Sequence, residues 1–232
     1  MAVRPSLVLL SGMLGDHTLW DAVSGELADV ADPCPLRIDR DDTIAAMAAS
    51  VLREAPPHFA LAGHSLGGIV ALEVLRQAPE RVTRLALLNT SAWPATPAQL
   101  EAWSAMTNRT DAGEFGDVAA ELARLTLPER HRGDERVARN TMMAETVGGD
   151  GFLRQLAAQA SRPDARPMLN VIDVPTLVVA GALDHVCPPA RQEELAAGIP
   201  TARLVVLDDA GHMSPLESPH AVAQALHSWL AD

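Results

Sequence analysis

A Gly-x-Ser-x-Gly pentapeptide at residues 63–67 constrains the fold of this chain more than any other sequence feature. A short apolar run, residues 59–62, precedes it, and a longer apolar run that begins at Leu66 follows it. This order predicts a buried strand, a tight turn and a helix. In such a context the motif is typical of a nucleophile elbow, whose serine is held in strained backbone geometry at the end of a strand.

The glycines of the pentapeptide support this interpretation, because side chains at Gly63 and Gly67 would clash in so tight a turn. Gly68 would let the helix pack close to the sheet. We therefore predict that Ser65 is a nucleophile. The alternative is a glycine-rich helix entry in which the serine only caps the helix.

The rest of the chain alternates short apolar strands with helices. Near-continuous Val and Leu runs indicate strands that are buried on both faces, as in a parallel sheet covered by helices. We predict six strands, at residues 6–10, 35–38, 59–62, 84–88, 176–180 and 203–207. Residues 93–167 show an Ala-rich, charged, helical pattern. The predicted fold class is thus α/β, with a core formed by residues 1–92 and 168–232 and a helical cap inserted at residues 93–167.

A serine hydroxyl needs a general base, usually histidine, and that histidine needs a carboxylate to orient it. In a parallel sheet these groups lie on loops at the carboxyl ends of strands. Asp184 follows the fifth predicted strand and His212 follows the sixth. The order Ser65, Asp184, His212 is the one that a nucleophile-elbow fold uses. We predict these three residues as a catalytic triad.

Other acidic positions fit the triad less well. Asp208 and Asp209 stand too close to His212 in the sequence to be favoured as its orienting acid. Asn89 ends a strand where an acid would fit, but it carries no charge.

The remaining histidines are weaker candidates for the base. His64 is expected to point away from Ser65, and His185 is expected on a solvated loop. His17 follows the first strand and is the one rival base that the sequence leaves open. We expect ordinary surface or helix positions for the others, which are His58, His131, His220 and His227.

A tetrahedral intermediate requires two backbone N–H donors, which form an oxyanion hole. One is expected from Leu66, directly after the nucleophile. The other is expected from Met13, which follows Gly12 in the loop after the first strand. Apolar residues near the rim are candidates for the substrate pocket, and they are Leu14, Trp20, Trp93, Trp103, Met106, Phe115, Met142 and Met143.

Four segments make the chain resemble the α/β-hydrolase superfamily, and within it the small carboxylesterases of the pimeloyl-carrier-protein methyl ester esterase type. They are residues 7–15, 63–68, 175–184 and 211–217. The resemblance covers essentially the whole length and implies the α/β-hydrolase fold. Relatives commonly have His-Gly after the first strand, where this chain has Ser11-Gly12.

Composition limits the partners and the compartment. The formal net charge of -12 argues against nucleic acid and anionic membranes. No signal peptide or membrane-spanning run is apparent, and the two cysteines favour free thiols in a reducing cytoplasm. The histidines lack metal-ligand spacing, so we expect no metal and no other cofactor. A monomer or a homodimer is expected.

We therefore predict a serine hydrolase that cleaves a small or medium carboxylic ester through an acyl-enzyme. The same triad also serves carbon–carbon bond, lactone and thioester hydrolysis and cofactor-free perhydrolysis, because a fold does not set a reaction. A ligand-binding receptor on a hydrolase scaffold is the alternative from another class.

Overall fold

The computed structural model describes residues 4–231, in which six parallel strands form one sheet in the order β2-β1-β3-β4-β5-β6. The strands are β1 Ser6–Leu10, β2 Asp32–Leu36, β3 Phe59–His64, β4 Val82–Leu88, β5 Thr176–Gly181 and β6 Ala202–Leu207. β3, which leads into the Gly-x-Ser-x-Gly turn, lies between β1 and β4. This confirms the predicted α/β class and the six-stranded parallel sheet.

The second strand begins three residues and ends two residues earlier than predicted, at Asp32–Leu36 instead of 35–38. Its position at the edge of the sheet explains how it accommodates Pro33 and Pro35. The amide of Asp32 donates to the carbonyl of Pro5, so this residue bonds toward β1. Alternate residues bond in opposite directions, and the two prolines therefore face the open edge, where no N–H is required.

Helices cover both faces of the sheet. They are α1 Asp21–Leu27, α2 Ile44–Glu54, α3 Leu66–Gln77, α4 Pro97–Asp111, α5 Phe115–Leu125, α6 Asp134–Ala160, α7 Pro189–Gly198, α8 Ser214–Glu217 and α9 Pro219–Ala231. Val8 and Leu10 of β1 pack in one core with α2, α3 and α7. Leu7 and Leu9 of the same strand pack in a second core with α1 and α9. Burial of both strand faces accounts for the continuous apolar runs.

Helices α4, α5 and α6, here called the inserted helices, lie between β4 and β5, and that interval holds no strand in the described chain. They share an apolar cluster of their own, to which Trp103, Val118 and Phe152 belong. Leu14, from the loop after β1, is buried in the same cluster. The helical pattern predicted for residues 93–167 is thus confirmed, while the division into a core and a cap stays a prediction.

Candidate active site

The turn between β3 and α3 holds Ser65 at φ 52° and ψ -117°. Such a backbone conformation is unfavourable for a residue with a side chain and persists only when the surroundings enforce it. Two close backbone approaches do so here. A Cβ atom on Gly63 would lie 2.3 Å from the carbonyl oxygen of Gly67, and one on Gly67 would lie 2.3 Å from the carbonyl oxygen of Leu10. The turn therefore requires glycine at both positions.

Thr90, just after β4, fixes the same turn from the other side. Its hydroxyl donates to the carbonyl of Ser65 over 2.7 Å. A Cβ atom on Gly68 would lie 2.6 Å from the Thr90 side chain, so this contact depends on the third glycine.

Three residues other than glycine have positive φ among residues 4–231, and all lie at the carboxyl edge of the sheet. Leu14 has φ 59°, Ser65 has φ 52° and Asn89 has φ 49°. They follow β1, β3 and β4, which are neighbours in the sheet. Backbone strain concentrates at functional sites, and its clustering here marks this edge as the candidate site.

The structure brings Ser65, His212 and Asp184 into one hydrogen-bonded chain. Ser65 Oγ lies 3.0 Å from His212 Nε2, and His212 Nδ1 lies 3.0 Å from Asp184 Oδ2. The histidine and the aspartate are buried, whereas Ser65 is half-buried and lines a cavity. This geometry suits a nucleophile, a base and an orienting acid.

Asp184 is held as a carboxylate although it is buried. Burial alone raises the pKa of Asp184. This effect is outweighed by the charge and hydrogen bond of His212 and by hydrogen bonds from the Asn89 amide and the Cys187 backbone N–H. The pKa therefore lies below its ordinary value. Oδ1 accepts from the N–H groups of Val186 and Cys187 at 2.9 and 2.8 Å. The acid is therefore ready to stabilise a protonated imidazole.

Asn89 contributes to the site although its lack of charge made it a weak candidate in the sequence. Its Nδ2 donates to Asp184 Oδ2 at 2.9 Å and to the carbonyl of Gly211 at 3.0 Å. Ser214 donates to Asn89 Oδ1 at 2.5 Å. One fully buried amide thus joins the acid to the loop that carries His212.

Glu217 fixes the loop that carries His212. Its carboxylate accepts from the backbone N–H groups of Gly211 and Met213, at 2.9 and 2.8 Å, on either side of the histidine. His131, between α5 and α6, also contacts this carboxylate. His131 lies in a short 3₁₀ helix, which is within the predicted surface or helix positions, but it is buried against a carboxylate far away in the sequence.

His64, which the sequence predicts to point away from Ser65, lies beside His212. Its ring centroid is 5.2 Å from that of His212, and its Nε2 donates to the His212 carbonyl at 2.7 Å. Burial, followed by the charge of His212, lowers the pKa of His64 to about 3. The ring is therefore neutral near pH 7 and braces the base without competing with it for the proton.

Two backbone amides are available near the nucleophile. Within residues 4–231, neither the Met13 nor the Leu66 N–H donates a hydrogen bond. The next amide, that of Leu14, is occupied, since it donates to Oε1 of buried Gln155 in α6 at 2.9 Å. The hydroxyl of Ser11 donates to the Asp16 carbonyl at 2.7 Å. The loop after β1 is thus held by Gln155 and by its own hydroxyl contact.

A cavity of about 420 Å³ lies against Ser65 and His212. Of the predicted pocket residues, four line it, namely Leu14, Trp93, Trp103 and Met106. Met13 lines it as well.

Two of the predicted pocket residues, Trp20 and Met142, do not line the cavity. Trp20 is fully buried in the core beneath the sheet, where it packs with β1. Met142 lies on the outer face of α6 with 65% of its surface exposed. Phe115 and Met143 do not line the cavity either, and they pack in the apolar clusters.

Two of the other histidines lie away from the cavity, whereas His64 is among its lining residues. His17 and His185 are exposed, and neither lines it. Asp209 binds Arg130 instead of His212. Across residues 4–231 no group of three His, Cys, Asp or Glu side chains could hold a metal ion. No helix in the same range is long and apolar enough to cross a membrane.

Comparison with known proteins gives consistent matches over most of the chain. The family model described as alpha/beta hydrolase fold matches residues 37–219. The pimeloyl-acyl-carrier-protein methyl ester esterase of Aromatoleum aromaticum is 30% identical, over 95% of this chain and 96% of its own length.

Solved structures match equally well. A thermophilic esterase from Thermogutta terrifontis has a TM-score of 0.89 at 27% identity and covers 100% of this chain and 91% of its own. A hydrolase from Pseudomonas aeruginosa PA01 has a TM-score of 0.88 at 30% identity, covering 100% and 92%.

Proposed function

This chain belongs to the α/β-hydrolase family, and from that premise we propose that it is a serine hydrolase that cleaves a small or medium carboxylic ester through an acyl-enzyme. The observation that carries the proposal is the unbroken hydrogen-bonded chain from Ser65 through His212 to Asp184. The names of the relatives support the ester as substrate class, since one is a methyl ester esterase and another an esterase.

In the first half of the proposed reaction, Ser65 Oγ attacks the ester carbonyl carbon while His212 Nε2 takes the hydroxyl proton. Asp184 accepts the hydrogen bond from Nδ1 and stabilises the imidazolium that forms. The oxyanion accepts hydrogen bonds from the amides of Met13 and Leu66. Leu66 begins α3, so the positive end of the helix dipole also favours this negative charge.

Collapse of the intermediate breaks the bond to the alcohol, which takes its proton from His212 as it leaves. The acyl group then remains on Ser65 Oγ. In the second half, His212 removes a proton from a water molecule that attacks the acyl carbonyl carbon. The bond from that carbon to Ser65 Oγ then breaks, Oγ takes the proton back from His212, and the acid product is released. Every proton thus passes through Nε2, and no cofactor takes part in the proposed steps.

The inserted helices are proposed to set substrate size. Trp103 and Met106 of α4 line the same cavity as Ser65 and His212. A cavity of about 420 Å³ is within the range of small-molecule sites and suits a short or medium acyl chain.

Turnover of p-nitrophenyl esters of increasing acyl length tests the proposal. We expect hydrolysis that falls off for long chains, and loss of at least about a thousandfold in kcat for Ser65→Ala, since the nucleophile is removed. Absence of hydrolysis across the series, or activity that survives in a folded Ser65→Ala variant, would overturn it.

A further inference from the structure

The wall of the cavity has a charge of opposite sign to the protein as a whole. The chain has 30 acidic and 18 basic residues. Arg162 and Arg191 both line the cavity, yet none of its 28 described lining residues is Asp or Glu. An acidic protein has thus excluded carboxylates from this cavity and placed two cations there, which favours an anionic ligand.

Arg162, directly after α6, is the more deeply buried of these cations, with 8% of its surface exposed. Every acceptor that it reaches is neutral. Nε donates to the Trp93 carbonyl at 2.9 Å and Nη1 donates to Gln159 Oε1 at 2.7 Å. Nη2 donates to Gln99 Oε1 at 3.0 Å and, over a long 3.4 Å, to the Pro94 carbonyl. These contacts orient the guanidinium but leave its charge uncompensated.

A buried cation without a counter-charge is costly, because burial disfavours the charged form. Burial lowers the pKa of Arg162, although a guanidinium remains charged. Cys187 also lines the cavity, but burial raises the pKa of its thiol to about 12, so it is neutral near pH 7. No acidic side chain of the described residues forms an ion pair with Arg162.

Arg191 places a second positive charge on the same side of the cavity. Its guanidinium lies 4.1 Å from the ring centroid of Trp93, the residue whose carbonyl binds Arg162. Arg191 also pairs with Glu194 at 3.4 Å and is about one-third exposed, so it is the weaker of the two electrostatically. Arg166, which does not line the cavity, packs on the same ring at 3.6 Å, and Trp93 Nε1 donates to Glu194. Arg162, which has no such carboxylate beside it, is therefore the cation that an anionic ligand would neutralise.

We propose that the substrate carries a carboxylate in addition to its scissile ester, and that Arg162 binds this carboxylate. Half-esters of dicarboxylic acids are the simplest such class. One Nη1 hydrogen of Arg162 is not used by the neutral acceptors and is free to bind the carboxylate oxygen. Trp103, Met106 and Leu122 of the apolar wall would contact the intervening methylene groups. The inference rests on the proposed esterase function of Ser65.

The test compares monomethyl and dimethyl esters of succinate, glutarate and adipate at pH 7, with kcat/KM expressed per ester bond. We expect at least one half-ester to be preferred over its own diester by tenfold or more. Hydrolysis of the neutral diesters reports on the proposed function separately. Cleavage of both forms at equal rates would overturn the carboxylate inference while leaving the esterase intact, and cleavage of neither would overturn the esterase.

Arg162→Met removes the cation while keeping an unbranched side chain, and we expect it to lower the half-ester to diester ratio at least tenfold. The matched control is Arg154→Met in α6, whose guanidinium donates to the Asp39 carbonyl outside the cavity. The control should leave the ratio unchanged. An unchanged ratio in a folded Arg162→Met variant would contradict the proposal.

If Arg162→Met fails to fold, competitive inhibition of the wild-type enzyme tests whether the cavity binds a second carboxylate. Glutarate should inhibit hydrolysis of a neutral p-nitrophenyl ester at a concentration at least tenfold lower than butyrate does. Arg162→Lys, which keeps the charge, should retain part of this selectivity. Equal inhibition by the dicarboxylate and the monocarboxylate would overturn the assignment.

Discussion

Asn89 Nδ2 lies 2.9 Å from Oδ2 of Asp184, the same carboxylate oxygen that faces Nδ1 of His212. The amide therefore bonds to the orienting acid on the side away from the backbone N–H groups that occupy Oδ1. Asn89 is fully buried and sits in strained backbone geometry. Its role in the proposed mechanism is to position Asp184, and through it His212.

Replacement of Asn89 by alanine should lower kcat for p-nitrophenyl acetate about tenfold, because Asp184 and the Gly211 carbonyl both lose a hydrogen bond worth about 1 kcal/mol. KM should change little, since Asn89 does not line the cavity. Ser214→Ala removes only the contact to Asn89 Oδ1 and should have the smaller effect on kcat. A folded Asn89→Ala variant with wild-type kcat would show that the amide does not position the acid.

Gln155 provides a second prediction, since it joins an inserted helix to the proposed oxyanion loop. Gln155→Met keeps the length of the side chain but removes the acceptor for the Leu14 N–H. Leu14 would then hold its positive φ without that support, and we expect kcat to fall about tenfold with KM little changed. Gln155→Glu, which keeps an oxygen acceptor, should recover part of the loss. Equal kcat for wild type and Gln155→Met would contradict this role.

His64 makes folding stability depend on pH. Its pKa is about 3 in the folded protein and about 6.5 when the chain is unfolded, so between these values the unfolded state binds the extra proton. Stability therefore falls as the pH drops below about 6.5. From pH 7 to pH 5 the linkage relation gives a loss of about 2 kcal/mol from this residue.

Urea unfolding of wild type and His64→Gln at both pH values checks this expectation. The variant cannot take up a proton at this site, so its free energy of unfolding should fall about 2 kcal/mol less than that of wild type. Asp184 does not confound the comparison: its folded pKa is depressed, and its contribution is lost only at pH below its ordinary pKa near 3.9. Identical pH dependence of the two proteins would mean that His64 is not buried neutral.

Much of the site was predictable because its parts follow local rules. Three glycines and two apolar runs in the sequence predict the elbow at Ser65. Asp184 and His212 follow strands, and parallel strands bring their carboxyl ends to one edge. These short-range patterns, together with the topology, suffice to place three distant residues within hydrogen-bonding distance of one another.

The remaining contacts depend on long-range packing that no local pattern records. Gln155 reaches Leu14 across 141 positions of sequence, and His131 reaches Glu217 across 86. Neither side chain lies in a recognisable motif, so charge and spacing gave no signal for them. The burial of Trp20 beneath the sheet was missed for a related reason, because an aromatic residue after β1 suits a core as well as a cavity rim.

Reaction with a fluorophosphonate, followed by peptide mapping by mass spectrometry, tests directly whether Ser65 is the nucleophile. Such a reagent reports on the nucleophilicity that His212 and Asp184 are proposed to confer on one hydroxyl group. We expect a single covalent adduct on Ser65, loss of esterase activity in proportion to labelling, and no adduct in Ser65→Ala or, at the same reagent concentration, in His212→Ala. An adduct on another residue, or full esterase activity after Ser65 is completely labelled, would contradict it.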